Sequence, residues 1–268
     1  MIARERRAAG AVLRVGFKEA VAYRAELLVW ILATTMPLVM LALFSAVARD
    51  APLGGYGQLD FVAYFLATFI VRQLTGAWSA WQINMDIREG AIATRLLRPF
   101  PPLLVYGLEG LAALPLRFLL SLPIAGAVLL ATARDHLSHE PAAWALFVLA
   151  VIAGWLITLG INFAIGCLAF FVDSALRVMD IYLALFMVAS GYLIPVDLFP
   201  PAARAIVERL PFRHQIALGV ELMTGRYDHD LGGAARAVAT SWAWVFGIFV
   251  VVFLVWRRGL RRYGAFGG

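Results

Sequence analysis

The sequence has little cysteine, lysine or charge, and each shortage excludes a class of protein. Cys167 is the single cysteine, so the chain can form no intrachain disulfide and no cysteine-based metal site. Charged residues make up only 15% of the chain, whereas soluble domains carry about 25%. Lys18 is the only lysine beside many arginines, a bias typical of a GC-rich bacterial genome. The composition is not that of a soluble globular protein.

Motifs that carry enzyme chemistry are also missing. The chain has no GxxxxGK[ST] phosphate loop, no HExxH and no glycine-rich dinucleotide fingerprint. His136 and His139, and the run Asp228-His229-Asp230, lie in predicted loops without a rigid scaffold or a fourth ligand, so we interpret them as solvated loops. The sequence predicts no catalytic residue, no metal site and no cofactor bound by this chain.

Apolar residues, in contrast, are abundant. They make up 62% of the chain and raise the mean hydropathy to +0.82. Six apolar runs each reach or approach the roughly 20 residues that cross a bilayer. The sequence therefore predicts an all-α polytopic membrane protein whose residues 27–268 form a single six-helix domain. The runs are Leu27–Ala48, Phe61–Ile83, Leu103–Ala131, Ala142–Val172, Val178–Ile194 and Ala237–Trp256.

The first 26 residues form a separate basic segment. Leu13, Phe17 and Val21 fall on one helical face, while Arg14 and Lys18 share another. This pattern is typical of an amphipathic helix that lies in the membrane interface. We predict such a helix over residues 1–26.

The distribution of basic residues predicts the orientation. With six spans, fourteen basic residues lie on the side of the termini and seven on the opposite side. Basic residues concentrate in cytoplasmic loops. We therefore expect the protein to lie in the bacterial inner membrane with both termini in the cytoplasm. The net charge of +6 is explained by arginines that flank spans, and it does not require a nucleic acid partner.

One charged segment, residues 84–102, connects two very apolar runs on the cytoplasmic side. The helical spacing of five residues predicts a short surface helix over about residues 84–98 that ends at a proline cluster. These residues are Ile87, Ala91, Thr94, Arg95 and Arg98. A helix in this position, between two spans, is suited to binding by a cytoplasmic partner protein. The alternative is a solvated loop with ordinary positive-inside charge.

The long extracellular segment, residues 190–236, is too apolar for a solvated loop. Prolines and Gly225 bracket two short helical stretches within about residues 200–225. Neither stretch is long enough to span. We expect them to dip into the outer leaflet as re-entrant helices or to cap the spans.

Arg72 and Arg117 fall near the middle of their predicted spans, where a charge costs at least about 2 to 3 kcal/mol unless it faces protein or water. One interpretation is structural, with pairing to Glu109, to backbone carbonyls or to a partner subunit. The other is that they line a polar route for an anionic or amphiphilic substrate, together with the nearby aromatic residues. Those residues are Phe65, Phe69 and Trp78.

Two motifs resemble those of the permease subunits of ABC-2-type ABC exporters. The first is Arg88-Glu89-Gly90 followed by Arg95-Leu96-Leu97-Arg98-Pro99, after the second span. The second runs from Ser190-Gly191 through Pro195, Phe199-Pro200 and Leu210-Pro211-Phe212 to Gly225. His214-Gln215-Ile216 departs from the family pattern, in which a further proline often precedes the second short helix. The resemblance covers essentially the whole chain.

The resemblance implies roles that the residues alone do not. Permeases of this family have six spans, act as dimers, and work with two cytoplasmic ATPase subunits that bind ATP and magnesium. It assigns coupling to the ATPase to one set of residues: Glu89, Gly90, Arg95, Leu96, Arg98 and Pro99. It assigns an extracellular gate to another set: Pro195, Phe199, Pro200 and Pro211. The second permease of the dimer is either the same chain or a paralogue.

Two other functions are compatible with an all-helical membrane protein. A secondary transporter or channel would need no ATPase, but the chain shows no internal repeat and no intramembrane acid that could couple protons. A membrane enzyme would need a cluster of catalytic groups at an interface, which the sequence lacks. The sequence therefore favours a permease that exports a drug-like, natural-product or lipid-linked molecule.

Overall fold

A computed structural model describes residues 10, 13–18, 21–22, 32, 34–98 and 100–266 of the chain. Most of the predicted interfacial helix over residues 1–26 lies outside the described residues. Its residues 13–18 are helical, and Gly16 lies so close to Ala112 that a Cβ at Gly16 would be 2.9 Å from the Ala112 Cβ. Contact with the membrane interface therefore stays a prediction.

The described residues form helices and no β-strand. In chain order the helices are α1 (Met36–Val47), α2 (Gln58–Thr75), α3 (Ser79–Arg88), α4 (Ala91–Leu96), α5 (Pro102–Ala112), α6 (Leu114–Thr132), α7 (Pro141–Cys167), α8 (Leu176–Ala189), α9 (Pro201–Val207), α10 (Ala217–Met223) and α11 (Leu231–Phe266). Prolines stand at the start of several of them, where a missing N–H costs nothing.

Four helical segments of the described part are long and apolar enough to cross a membrane. They are Gln58–Arg88, Pro102–Leu119, Pro141–Phe170 and Leu231–Tyr263. Within the described residues the predicted first span is represented by α1, with 12 residues, while residues 27–31 and 33 of that span lie outside them. The predicted fifth span is represented by α8, with 14 residues. The expectation of six spans is therefore supported for four segments by length and composition.

The predicted third span, Leu103–Ala131, is two helices. α5 ends at Ala112 and α6 begins at Leu114. Pro115 stands in the first turn of α6 and has no N–H to donate to the preceding helix, so the chain breaks there. Pro123 lies inside α6 without ending it.

The predicted second span, Phe61–Ile83, is also broken. Gly76 follows α2 in an extended conformation, and α3 begins only at Ser79. In a continuous helix the Ala80 N–H would bond the Gly76 carbonyl. Here Arg117 Nη1 donates to that carbonyl at 3.2 Å, and the Ala80 N–H approaches Asn162 Oδ1 at 3.4 Å. Two side chains from other helices thus satisfy both groups that the break leaves open.

Helix α7 packs closely against its neighbours through glycine. A Cβ at Gly166 would lie 2.8 Å from the Ile83 Cβ of α3, and one at Gly154 would lie 2.9 Å from the His214 carbonyl oxygen. Small residues allow helices in membranes to approach this closely. They place α7 beside both the broken second segment and the loop before α10.

The turns gather into two ends of the helix bundle. At one end, Tyr263 of α11 lies beside Gly90, and Gly259 packs against Phe170. At the other end, Tyr56 bonds Asp197, and Ser138 bonds Asp228. We call the first end, around Gly90, the coupling end, and the second end, around Asp197, the cap end.

Candidate coupling element and transport pathway

The candidate coupling element, called the coupling element below, comprises residues 88–98 between the second and third predicted spans. The sequence predicts one helix over about residues 84–98, but the structure divides it: α3 ends at Arg88 and α4 runs from Ala91 to Leu96. Gly90 lies between them with φ 77°, in the left-handed region that glycine adopts without steric cost. A helix of six residues is not stable alone, so α4 depends on its tertiary contacts.

An apolar contact holds the inner face of α4. Ile92 is fully buried and packs in a cluster with Ile87, Tyr106 and Phe170. On the outside, Leu97 is 88% exposed and Leu96 is 38% exposed. The element therefore presents apolar side chains outward from a base that is fixed to the bundle.

A polar cluster holds the same element. Arg95 Nε lies 2.7 Å from Asp86 Oδ2 on α3, and Arg95 Nη1 lies 3.3 Å from Glu109 Oε1 on α5. The Tyr106 hydroxyl donates to Asp86, and the Arg95 guanidinium stacks over the Tyr106 ring at 4.5 Å. Burial lowers the pKa of Arg95, but Glu109, Tyr106 and Asp86 outweigh that effect and raise it. Arg95 thus ties α4 to the two helices that flank it.

The predicted coupling residues therefore differ in position. Glu89, Leu96 and Arg98 are exposed, whereas Gly90 and Arg95 are half-buried. Pro99 lies outside the described residues. Arg95 faces inward and anchors the element, so only the exposed residues are placed to contact a partner directly.

Arg72 and Arg117 converge on the break in the second segment. A Cβ at Gly76 would lie 3.4 Å from Arg117 Nη1 and 3.7 Å from Arg72 Nη1. Arg72 is only 7% exposed, and its guanidinium lies 4.9 Å from the centre of the Phe186 ring and 5.7 Å from that of Trp78. These two distances place the Nη1 atoms no more than about 7 Å apart, and at that separation two like charges repel each other by about 2 kcal/mol at an effective dielectric constant of about 20. The structure thus concentrates positive charge at one buried point.

The structural alternatives for these arginines are resolved in part. Glu109 bonds Arg95 and Gln82, so the suggested pairing of an intramembrane arginine with Glu109 is wrong. Arg117 bonds a backbone carbonyl instead. Of the predicted lining residues, Trp78 lies beside Arg72, whereas Phe65 stacks against Phe44 and Phe61 in the core. Phe69 is buried in the same core.

A buried polar seam continues from this region toward the cap end. Gln215 Oε1 accepts hydrogen bonds from Tyr182 at 2.7 Å and from Thr158 at 3.0 Å. Asn162 donates to the Thr158 carbonyl at 2.9 Å. Since Asn162 Oδ1 also accepts the Ala80 N–H, this residue links α7 to the start of α3.

The cap is formed by residues 190–230. Every residue of α10 is buried, and a Cβ at Gly219 would lie 3.3 Å from Val71 of α2 and 3.7 Å from Val151 of α7. The short helix is therefore inserted between the second and fourth predicted spans. Burial, with the charge of Arg213, lowers the pKa of His214 in the turn before it to about 4.

The predicted gate residues mostly shape this cap. The carbonyl of Pro195 accepts the Leu198 N–H at 3.0 Å, and that of Pro200 accepts the Arg204 N–H at 2.9 Å, so both begin short helical turns. Phe199 packs against the cluster that contains Val207. Pro211 is half-buried in the turn after α9.

Sequence reasoning missed the residue that joins the cap together. Asp197 accepts hydrogen bonds from the Tyr56 hydroxyl at 3.1 Å and from Arg226 Nη1 at 2.9 Å, and its other oxygen lies 2.9 Å from Arg204 Nη2. Arg226 also stacks on the Tyr56 ring at 3.8 Å. The sequence signal for this role of Asp197 was its position between Pro195 and Pro200, in a loop that carries five arginines.

A second ion pair fixes α10 within the cap. Arg213 Nη2 contacts Glu221 Oε2, and the same nitrogen lies 3.0 Å from the Tyr227 hydroxyl. Elsewhere in the cap end, His136 lies 2.9 Å from Asp60. No group of three or more metal-ligating side chains occurs among the residues that the structure describes.

The comparisons with known proteins agree with this architecture. A family model described as ABC-2 family transporter protein matches residues 29–267, which include the coupling element, the arginine pair and the cap. A search of the curated proteins finds no match. The match covers most of the chain, and such permeases are membrane components of transporters that normally work with ATPase subunits. The chain is a multi-pass membrane protein and belongs to the ABC-2 transporter family.

Proposed function

We propose that this chain is the permease subunit of an ATP-driven exporter that moves a hydrophobic or amphiphilic molecule out across a bacterial inner membrane. Two ATPase subunits, which bind ATP and magnesium, and a second permease complete the assembly. The observation that carries the proposal is the coupling element of a family-matched chain, with Leu97 88% exposed on a buried base. Exposed apolar surface rimmed by polar residues marks a site of contact with a partner protein or a membrane, and here charged residues flank the exposed tip.

The base of this element supports force transmission. Arg95 connects α4 to Asp86 on α3 and to Glu109 on α5, and Ile92 packs between them. A push on α4 therefore acts on two helices at once. Coupling between distant sites requires such a contiguous packed unit with two arrangements.

The same end carries the charge expected of a cytoplasmic face. The last turns of α11, which pack through Gly259 on Phe170 and carry Tyr263 beside Gly90, hold four arginines: Arg257, Arg258, Arg261 and Arg262. The positive-inside rule then places the coupling element and both termini in the cytoplasm. Six spans belong to this proposal, with α1 and α8 as the cores of the first and fifth.

The cap supports the role of an outer gate. α10 is inserted between α2 and α7, and Asp197 links three separate turns over it. Release of cargo outward requires this cap to shift. Pro195, Phe199, Pro200 and Pro211 would set its shape, while Arg72, Arg117 and Trp78 would line the route below it.

Copurification tests the proposal. The tagged chain is isolated from its native host in mild detergent, and ATP hydrolysis is measured on the eluate. We expect an ATPase subunit to copurify, and Glu89→Ala, Arg98→Ala and Leu97→Asp to reduce its amount and activity. Arg134→Ala is the matched control, because Arg134 is exposed at the cap end.

One result of the copurification experiment would contradict the proposal. A chain that purifies without any ATPase, and whose coupling-element variants behave as the wild type, overturns the exporter proposal. That outcome would favour a secondary transporter or channel, for which the arginine pair would be the substrate site.

A further inference from the structure

The break at Gly76–Trp78 brings together features that point to a ligand. Nη1 atoms of Arg72 and Arg117 both lie within 3.7 Å of the point where a Gly76 Cβ would stand. We propose that these two arginines bind a single anionic group, a phosphate, sulfate or carboxylate, on an amphiphilic molecule. The inference deepens the proposed function, because it names the charge class of what the permease handles.

The charge balance supports an anion. Among the described residues no aspartate or glutamate forms an ion pair with either arginine, and Glu109, the acid that the sequence suggested, is engaged by Arg95 and Gln82. The aromatic faces of Phe186 and Trp78 offset only part of the energetic cost of burying the positive charge of Arg72. Intramembrane arginines are stable when they pair or line a route for charged cargo.

The two guanidinium groups carry more donors than the hydrogen bonds they make to the described residues. Arg117 uses one nitrogen on the Gly76 carbonyl, whereas a guanidinium carries five N–H donors. Ring contacts occupy the face of the Arg72 guanidinium and leave its edge for an in-plane acceptor. Helix α3 also begins here, at Ser79, and the partial positive charge of a helix N-terminus favours an anion.

Ser79 provides an independent sign of an unoccupied partner position. It is 8% exposed, and its hydroxyl oxygen is buried without a hydrogen-bond partner among the described residues. Buried polar groups are nearly always bonded, so an orphaned hydroxyl three residues after Gly76, at the first position of α3, is consistent with a missing acceptor or donor at the break. A headgroup at the break would supply it.

The surroundings indicate that the anion belongs to an amphiphile. Phe186 and Trp78 flank Arg72, and Val71 and Ile70 beside it on α2 are buried in the apolar core. A small hydrated ion would gain little from these side chains. An alkyl or aromatic body attached to the anionic group would pack against them.

Matched ligands test the proposal. The purified protein, with any ATPase that copurifies, is placed in phosphatidylcholine nanodiscs without ATP. Dodecyl phosphate and dodecylphosphocholine, which share a tail, are titrated as mole fractions while the apparent Tm is followed. We expect dodecyl phosphate to bind about tenfold more tightly and to raise the Tm as a ligand of the folded state does.

Two variants identify the site. Arg72→Gln with Arg117→Gln removes both charges and should abolish the preference for dodecyl phosphate. Gly76→Ala keeps the arginines and an ordinary backbone conformation but places a methyl group between them, so it should weaken dodecyl phosphate selectively. Gly126→Ala on α6, where a Cβ meets nothing within 4 Å, is the control and should bind normally.

Equal binding of the two amphiphiles, or an unchanged preference in both variants, overturns the proposal. A further arm replaces about a tenth of the phosphatidylcholine with phosphatidylglycerol. If this lipid competes with dodecyl phosphate, the source of the anion is a bilayer headgroup. If it does not compete, the anion belongs to single-chain cargo. Because the assay needs no ATP, a missing ATPase would defeat the proposed function and leave this result intact.

Discussion

The two ends of the bundle are stabilised in different ways. At the cap end, α10 is wholly buried, and Asp197, Glu221 and Asp228 each bind groups from elsewhere in the chain. At the coupling end, one buried isoleucine and one arginine hold a six-residue helix whose apolar tip is exposed. Among the described residues, the cap is thus held by buried contacts within this chain, whereas α4 exposes an apolar tip, which under the proposed function would contact an ATPase subunit.

This comparison makes a general prediction about variants. Substitutions that disturb the cap should lower stability, because they remove buried contacts that nothing else replaces. Substitutions at the coupling element should lower ATPase coupling with little change in stability. Three experiments test the difference, in order of expected effect on stability.

The largest effect is expected from Gly154→Val. A Cβ here would stand 2.9 Å from the His214 carbonyl oxygen and 3.1 Å from that of Gln215, and neither backbone atom can move away without displacing the cap. We expect loss of the folded protein in detergent, seen as aggregation by size-exclusion chromatography. Gly247→Val, where a Cβ meets nothing within 4 Å, should remain monodisperse, and equal behaviour of the two would show that α10 is loosely seated.

An intermediate effect is expected from acidification. Burial and Arg213 lower the pKa of His214 to about 4 in the folded protein from 6.5, so the unfolded chain binds the extra proton between those values. Stability should therefore fall as the pH drops from about 6.5 toward 4, by up to about 3 kcal/mol. The check is the apparent Tm at pH 7.5 and at pH 5.

His214→Phe supplies the control for that measurement. It removes the titrating group and should flatten the dependence of Tm on pH. His139→Phe removes an exposed histidine of the same end and should leave the slope of the wild type. A slope that survives in His214→Phe would assign the pH response to other groups.

The smallest effect on stability is expected from Arg95→Met. The ion pairs of Arg95 are partly exposed, and such pairs contribute about 1 kcal/mol or less, although Asp86 and Glu109 then lose their cation. Coupling should nevertheless suffer, since α4 is no longer tied to α3 and α5. We expect an ATPase that still copurifies but does not respond to cargo, whereas Arg258→Met should respond normally; a fall in Tm as large as in the cap variants would contradict the comparison.

Hydrophobicity and prolines predicted much of this fold. Apolar runs located the long helices, and prolines at the starts of α5, α7 and α9 marked their boundaries. The two short helices of the cap also fall where prolines and Gly225 indicate them. These features are local, so the sequence alone carries the information.

The features that sequence reasoning missed depend on residues far apart in the chain. A single glycine costs a helix only about 1 kcal/mol, so Gly76 alone did not indicate a break. The break is stabilised by Arg117 and Asn162, which come from α6 and α7. Likewise, helical spacing could not show that Arg95 faces Glu109 rather than solvent.

The break at Gly76 also divides the central segment mechanically. Its α3 half is joined through Asp86 and Ile87 to the coupling element, and its α2 half is joined through Tyr64 to Gly191 at the cap end. Because Ala80 does not bond the Gly76 carbonyl, the two halves are connected at this point by side chains of other helices. The second segment therefore consists of two helical arms that meet at residues 76–78, without the helical hydrogen bond that would fix their relative angle, and the two arginines meet at this joint.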